Sequence, residues 1–258
     1  MKTSLSLTKY HLKLLFRDLP SVLMAFLMPI GFYVLFGYML QDANVNNNSL
    51  TDLLIPLYII IIIGNAVFNV FGVLYVNAKE SGNLQKFKFL GVSELRFSFT
   101  LFVATLVFQL VVIISFILFT YFFDGSVFPQ DKLLPILATL CVILVFHFAA
   151  VFFLVSLLKK STAYNPIALT LFMYQMFLGG LTFPLQMFPE FLQKAIYYIN
   201  PIIYGRDALL TAWTGDSSIG HVLRDNMILL SFSVGLVVAG MILNRILLSQ
   251  KTAVVFTR

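Results

Sequence analysis

Charge is what this sequence has least of. Only 11% of its 258 residues are Asp, Glu, Lys or Arg. Soluble domains carry about a quarter, so a water-facing globule is excluded. There is one cysteine, Cys141, set in an apolar run. No disulfide framework and no cysteine-based metal cluster can be built from it. No G-x-x-x-x-G-K-S/T occurs, which removes the P-loop route to binding ATP within the chain. H-E-x-x-H and G-x-S-x-G are also missing, as are paired acids inside an apolar run, and with them go the common designs of an intramembrane enzyme. A cleavable signal peptide is not expected either. The first apolar run starts near residue 19, lacks a well-placed A-x-A site and is long enough to span a bilayer.

What the sequence has is apolar length. It is 60% hydrophobic, with 28 phenylalanines and a mean hydropathy of +0.94. Several stretches exceed the roughly 18 apolar residues that a membrane helix needs. The expected fold is an all-α polytopic membrane protein forming one domain over residues 1–258, with six transmembrane helices near 21–40, 53–76, 97–123, 133–158, 167–185 and 227–248. The net charge of +6 comes from short flanking loops, so topology explains it and nucleic acid is not an expected partner. Four bases fall before residue 20, four in 77–96, two at Lys159-Lys160 and three at the C-terminal end, which is 13 of the 17. That bias puts both termini on the cytoplasmic side of a multi-pass inner or plasma membrane protein. None of the six expected spans contains Asp or Glu.

Residues 1–19 read as an amphipathic interfacial helix. Lys2, Lys9, Lys13 and Arg17 take one side and Leu5, Leu12, Leu15, Phe16 and Leu19 the other, in a stripe roughly 100° wide. The plainer reading is a basic flank that orients the first span. Pro29 is expected to kink that span. Asn47-Asn48-Ser49 fits a glycosylation acceptor, a pattern that arises by chance in polar loops. Asn65 and Asn69 lie four apart on one helix face. An interhelical hydrogen bond is the first reading, a polar patch on a transport path the second. His147, with no acidic partner in any span, reads as a structural histidine bonded to a carbonyl rather than a proton relay. Ser231, Gly235 and Ala239 form a small-residue face suited to close helix packing. Residues 186–225 are too polar for a span and too aromatic for a loop. Pro189 opens one short helix, Asn200-Pro201 ends it, and a second follows near 202–213. They are expected to dip into the outer leaflet and return.

The loop 77–96 is net basic and partly helical. Leu84 and Phe87 share a face, and Gly91 breaks the helix. A solvated surface loop is the plain alternative. Glu80-Ser81-Gly82-Asn83-Leu84-Gln85, then Phe87, then Val92-Ser93-x-Leu95 resembles the coupling-helix loop of ABC-2 exporter permeases, E-x-G-T/S-L-E followed by P-V/M-S-x-x-E. Gln85 stands for the second Glu, Gly91 for Pro and Arg96 for the last Glu, and Lys88 interrupts the apolar run. A second stretch is similar to the family's signature around its fifth span. Here Gly180-Leu181-Thr182-Phe183-Pro184 is followed by Met187-Phe188-Pro189 and by Asn200-Pro201-x-x-Tyr204.

The resemblance implies a permease subunit of an ATP-binding cassette exporter, not itself an enzyme. A separate P-loop ATPase in two copies would carry ATP and Mg, this chain binding no cofactor and no metal. A second permease copy or a paralogue would complete the assembly, and membrane lipid surrounds it. Glu80, Gly82, Leu84, Gln85, Phe87 and Gly91 would couple to the ATPase, Leu84 and Phe87 as apolar anchors with Lys86 and Lys88 as rim charge. Gly180, Phe183, Pro184, Pro189, Asn200, Pro201 and Tyr204 would form the outer gate. Asn65, Asn69, Tyr174 and Gln175 would be sparse polar points on a largely apolar path, suited to a hydrophobic or amphipathic cargo such as a drug, an antimicrobial peptide or a lipid-like molecule. The rival class is a secondary transporter, uniporter or channel without an ATPase. Coupling to protons or sodium there usually needs carboxylates in the bilayer.

Overall fold

The computed structural model describes residues 2–39, 44–45, 48–182, 185, 188–215 and 219–256. Phe183 and Pro184 of the expected outer gate, and Asn47 of the acceptor pattern, lie outside the described residues. The chain is almost entirely helical. Helix α1 (Lys2–Arg17) leads into α2 (Leu19–Met39), and a two-residue antiparallel ladder, Asn44–Val45 with Asn48–Ser49, joins α2 to α3 (Leu50–Asn65). A π-helical segment, Ala66–Gly72, runs from α3 into α4 (Val73–Glu80) without a break in direction of the chain. After α5 (Asn83–Phe89) come α6 (Glu94–Asp124), α7 (Leu133–Leu157), α8 (Ser161–Leu178), α9 (Glu190–Ile199), α10 (Ile202–Thr214) and α11 (Ile219–Phe256). The face carrying α1 and α5 is called the basic face below, the opposite one the far face.

Helix α3 is the central column. Leu54 to Ile63 are apolar on every side apart from Pro56, and residues Tyr58, Ile59, Ile60 and Ile61 are all at most 2% exposed. A helix hydrophobic all round is one that its neighbours surround. By contrast α2 and α11 bury little of their length and present Leu23, Met24, Leu27, Val234 and Met241 outward. The far end of α2 is tied to α6 by Asp124, which accepts hydrogen bonds from the Tyr33 hydroxyl and the Ser126 backbone N–H.

Among the described residues five helical stretches are long and apolar enough to cross a membrane: Val22–Met39, Leu53–Glu80, Glu94–Asp124, Gln130–Leu157 and Ile219–Ile246. The fifth expected span, 167–185, differs. Helix α8 begins at Ser161 rather than 167 and stops at Leu178 rather than 185. Its early start brings Ser161, Thr162, Asn165 and Pro166 into the helix, which lowers its apolar content. Its early end is a chain reversal: Gly180 takes φ +63°, a left-handed conformation that favours glycine.

Helix α10 explains where the missing length goes. Gly205 packs against Ile143, ten residues into α7, which is roughly 15 Å from that helix's far end. At the other end of α10, Trp213 stacks edge-to-face on Phe128, and Lys132 donates to the Trp213 and Thr214 carbonyls. So α10 starts at mid-bundle depth, beside the end of α8, and rises to the far face. The re-entrant pair expected from Pro189 and Asn200-Pro201 is present, as α9 and α10. Two charge placements change as a result. Arg206, counted among the outer bases on the short helix expected near 202–213, is 6% exposed on α10. Asp225, expected outside the last span, is also buried and lies in the apolar stretch Ile219–Ile246. The expectation that no span carries a carboxylate fails there, because the helix begins eight residues before 227.

Candidate functional site

The basic face is built around α5. Helix α4 ends at Glu80, and Gly82 at φ +72° turns the chain into α5. Gly91 at φ +78° turns it out again, as its sequence position predicted. Ser93 caps α6, its hydroxyl oxygen accepting the Arg96 N–H at 3.3 Å. The result is a short helix held between two sharp turns at the ends of two membrane helices.

Glu80 does not face solvent alone. Its Oε2 accepts the Ser161 backbone N–H at 2.7 Å and the Ser161 hydroxyl as well. A carboxylate thereby satisfies an otherwise orphaned N–H in the first turn of α8 and lies at the positive end of its dipole. The turn before α5 is thus joined directly to α8, 81 residues on in the sequence. Ser161 was not singled out from sequence. Its signal was the Lys159-Lys160-Ser161-Thr162 junction, where a hydroxyl residue opens a helix.

Leu84 and Phe87 face inward. Leu84 is 8% exposed and packs with Leu7, Ala78, Val92, Phe97 and Leu101. Phe87 is half-buried, its ring 5.2 Å from Phe97 and 6.3 Å from Tyr10. Their partners are the chain's own α1 and α6, so these two are not outward anchors. The bared apolar side chains are Phe89, Leu90 and Leu95, at 91%, 76% and 81% exposure. Gln85, Lys86 and Lys88 are exposed beside them.

Helix α1 holds this joint by an apolar strip that differs from the expected one. Leu7, His11 and Leu15, at four-residue intervals, are buried, while Leu5, Phe16 and Leu19 stay exposed. His11 sits edge-to-face on Phe97 at 4.8 Å, and its Nε2 has no hydrogen-bond partner. Burial lowers its pKa from the usual 6.5 to about 4. The sign follows from that. Above pH 6.5 His11 is neutral folded or unfolded and titration contributes nothing. As pH falls from 6.5 towards 4 only the unfolded or undocked form takes the proton, so docking of α1 weakens across that window. Protease cleavage at Lys9 and Lys13 is expected to rise over this range in the native chain and to lose that pH dependence in His11→Phe.

The other sequence-selected residues fall into separate places. Asn69 donates to Asn65 Oδ1 at 3.0 Å, so the amides satisfy each other within one helix rather than between helices. His147 Nδ1 lies 2.7 Å from the Ile143 carbonyl, as expected of a structural histidine, and its Nε2 lies 3.0 Å from Gln175 Oε1. Tyr174 donates to the Ile199 carbonyl at 2.6 Å and links α8 to α9. The Asn65–Asn69 pair and the Gln175–Tyr174 pair are therefore engaged in different contacts. In the re-entrant hairpin, Pro189 and Pro201 precede α9 and α10, and Tyr204 donates to the Tyr197 carbonyl at 3.2 Å. Asn200 is fully buried with neither amide atom bonded. Arg206 pairs with Asp207 at 2.9 Å, and Asp207 accepts the Tyr197 hydroxyl at 2.6 Å. Asp225 is paired with Arg224 at 3.0 Å.

Together these features define a multi-pass α-helical membrane protein with a short jointed helix on its basic face and a re-entrant helical hairpin on the other. The chain belongs to the ABC-2 type transporter family, whose sequence profile matches residues 4–213 and so runs through both the α5 joint and the re-entrant hairpin. It is a membrane domain of an ABC-type transporter, and permeases of this family generally pair with an ATPase subunit. A search of curated proteins finds no significant match.

Proposed function

We propose that this chain is the membrane-spanning subunit of an ATP-driven exporter, and that the α5 joint receives the stroke of a separate ATPase. The carrying observation is the Glu80–Ser161 contact beside a bared Phe89-Leu90 edge. A partner gripping that edge would move the turn at Gly82, and Glu80 would pass the movement to α8 and hence to the re-entrant hairpin beyond it. This is a rigid-body linkage between two packed states. In this reading the basic face is cytoplasmic, both termini lie there, and the membrane is the inner or plasma membrane. Two ATPase copies would hold ATP and Mg, and a second permease copy or a paralogue would complete the path. The cargo would be hydrophobic or amphipathic, since the membrane helices offer few unpaired polar groups to a sugar chain.

Asp207 and the buried Asp225 do not favour ion-coupled transport, because each is matched by an arginine. The test separates outward anchors from inward ones. In Phe89→Asp/Leu90→Asp, the chain is expected to purify folded but to lose a co-purifying ATPase and export. Leu84→Asp is expected to lower the folded yield itself, because it puts a charge into the α1–α6 contact. If the wild-type chain brings down no ATPase from its native membrane under conditions that keep membrane complexes intact, the uniporter reading replaces this one.

A further inference from the structure

A second feature of the basic face lies away from α5. A cavity of about 580 Å³ opens between α4, α6, α7 and α11. Its mouth is charged: Lys79 Nζ stands 3.9 Å from Glu94 Oε1, too far for a hydrogen bond. Both side chains are substantially exposed, at 42% and 57%. Tyr75 fixes Glu94 by donating its hydroxyl at 2.8 Å. Its walls are apolar and aromatic, chiefly Phe71, Phe148 and Phe152. Near the mouth α7 and α11 close on each other, where the Asn244 amide donates to Ser156 Oγ at 2.9 Å and Gly240 of α11 meets Phe152 closely. Phe148 stands nine residues inside the basic end of α7, so the cavity reaches roughly 14 Å from that end. Leu95 and Phe152, which line it, are largely exposed, as side chains facing acyl chains are.

We propose that this cavity binds one membrane phospholipid with a protonated amino headgroup, a phosphatidylethanolamine. Charge complementarity carries the choice. The loose Lys79–Glu94 pair offers one cation for the phosphate and one carboxylate for the ammonium. An anionic lipid without an amine leaves Glu94 facing a negative headgroup, and a choline lipid offers Glu94 no N–H donor. The apolar body of the cavity takes part of one acyl chain. Seated there, the lipid braces α4 against α6, the two helices between which α5 hangs.

The full chain, purified in mild detergent, is mixed with equal amounts of palmitoyl-oleoyl phosphatidylethanolamine, phosphatidylcholine and phosphatidylglycerol, and bound lipid is read by native mass spectrometry. One phosphatidylethanolamine is expected to be retained in preference to the other two. Lys79→Gln and Glu94→Gln are each expected to cut that retention about two- to fivefold, the size of an exposed charge contact, and to erase the preference over phosphatidylcholine. Ser98→Leu, which narrows the cavity and leaves the charges, is expected to lower all three. Equal retention of the three lipids, or an unchanged ratio in the two glutamine variants, overturns the proposal. So does a loss of self-association in Ser98→Leu with lipid ratios intact, which assigns the cavity to a second copy. Emission from Trp213, on the far face, reports folding of every variant. The glutamine variants alter exposed side chains and decide the matter alone if Ser98→Leu does not fold.

Discussion

Gly72→Ala is expected to leave little folded protein in the membrane. An added Cβ at this position would overlap the Tyr164 hydroxyl oxygen and lie 2.6 Å from the ring carbon that bears it. Tyr164 cannot withdraw. It is fully buried, and its hydroxyl donates to the Phe68 carbonyl at 3.1 Å, inside the π-helical segment that ends at Gly72. One methyl group therefore pushes α8 away from the segment joining α3 to α4 and breaks a buried hydrogen bond as it does so. Overpacking typically costs about 1–3 kcal/mol, and a buried, bonded tyrosine puts this site at the upper end. The measurement is the melting midpoint and the monodisperse fraction of detergent-solubilised protein. Adding Tyr164→Leu to Gly72→Ala makes room for the methyl and is expected to restore part of the loss. Tyr164→Phe alone removes only the hydrogen bond, for about 1 kcal/mol. If Gly72→Ala melts with the parent, the close approach at this position does not set the packing of α8.

Hydropathy alone located five of the six spans, since 18 or more apolar residues leave a chain few alternatives in a bilayer. Turn chemistry located more: Gly91, Pro189 and Asn200-Pro201 mark helix ends where the structure has them. Three things were hidden for physical reasons. The π segment has the same composition as the helix around it, because the extra residue per turn is set by what packs against it, here Tyr164. The early end of α8 is invisible to a hydropathy window, since Gly179 to Leu181 stay apolar while Gly180 turns the backbone. And Leu84 and Phe87 share a face by spacing, yet spacing cannot say what covers that face. Here it is the chain's own Leu7, Tyr10 and Phe97. The same ignorance counted Arg206 among the outer, solvent-facing bases. Its charge was legible, and its burial beside Asp207 was not.

That arginine carries the second large effect. Arg206→Ala is expected to unlatch the re-entrant hairpin. The Arg206 side chain is 8% exposed, and its Nη1 donates to Asp207 Oδ1 at 2.9 Å, while the other Asp207 oxygen accepts the Tyr197 hydroxyl of α9. Its guanidinium carbon also stands 3.4 Å from where a Cβ on Gly180 would lie, so the side chain reaches the reversal that ends α8. One residue on α10 thus meets both α9, through Asp207, and the end of α8. Truncation removes the cation and leaves Asp207, 27% exposed, facing Tyr197 without it. Breaking a buried pair from one side costs about 3 kcal/mol. Arg206→Ala combined with Asp207→Asn removes the stranded charge and is expected to recover much of the loss, which separates the ion pair from simple packing. The sole tryptophan, Trp213, ends α10 and is 6% exposed against Phe128. Its emission is expected to shift to the red in Arg206→Ala and to return towards the native wavelength in the double variant. Unchanged emission and melting in Arg206→Ala would place the hold on the hairpin elsewhere, in the apolar contact of Leu185, Ile196 and Ile203.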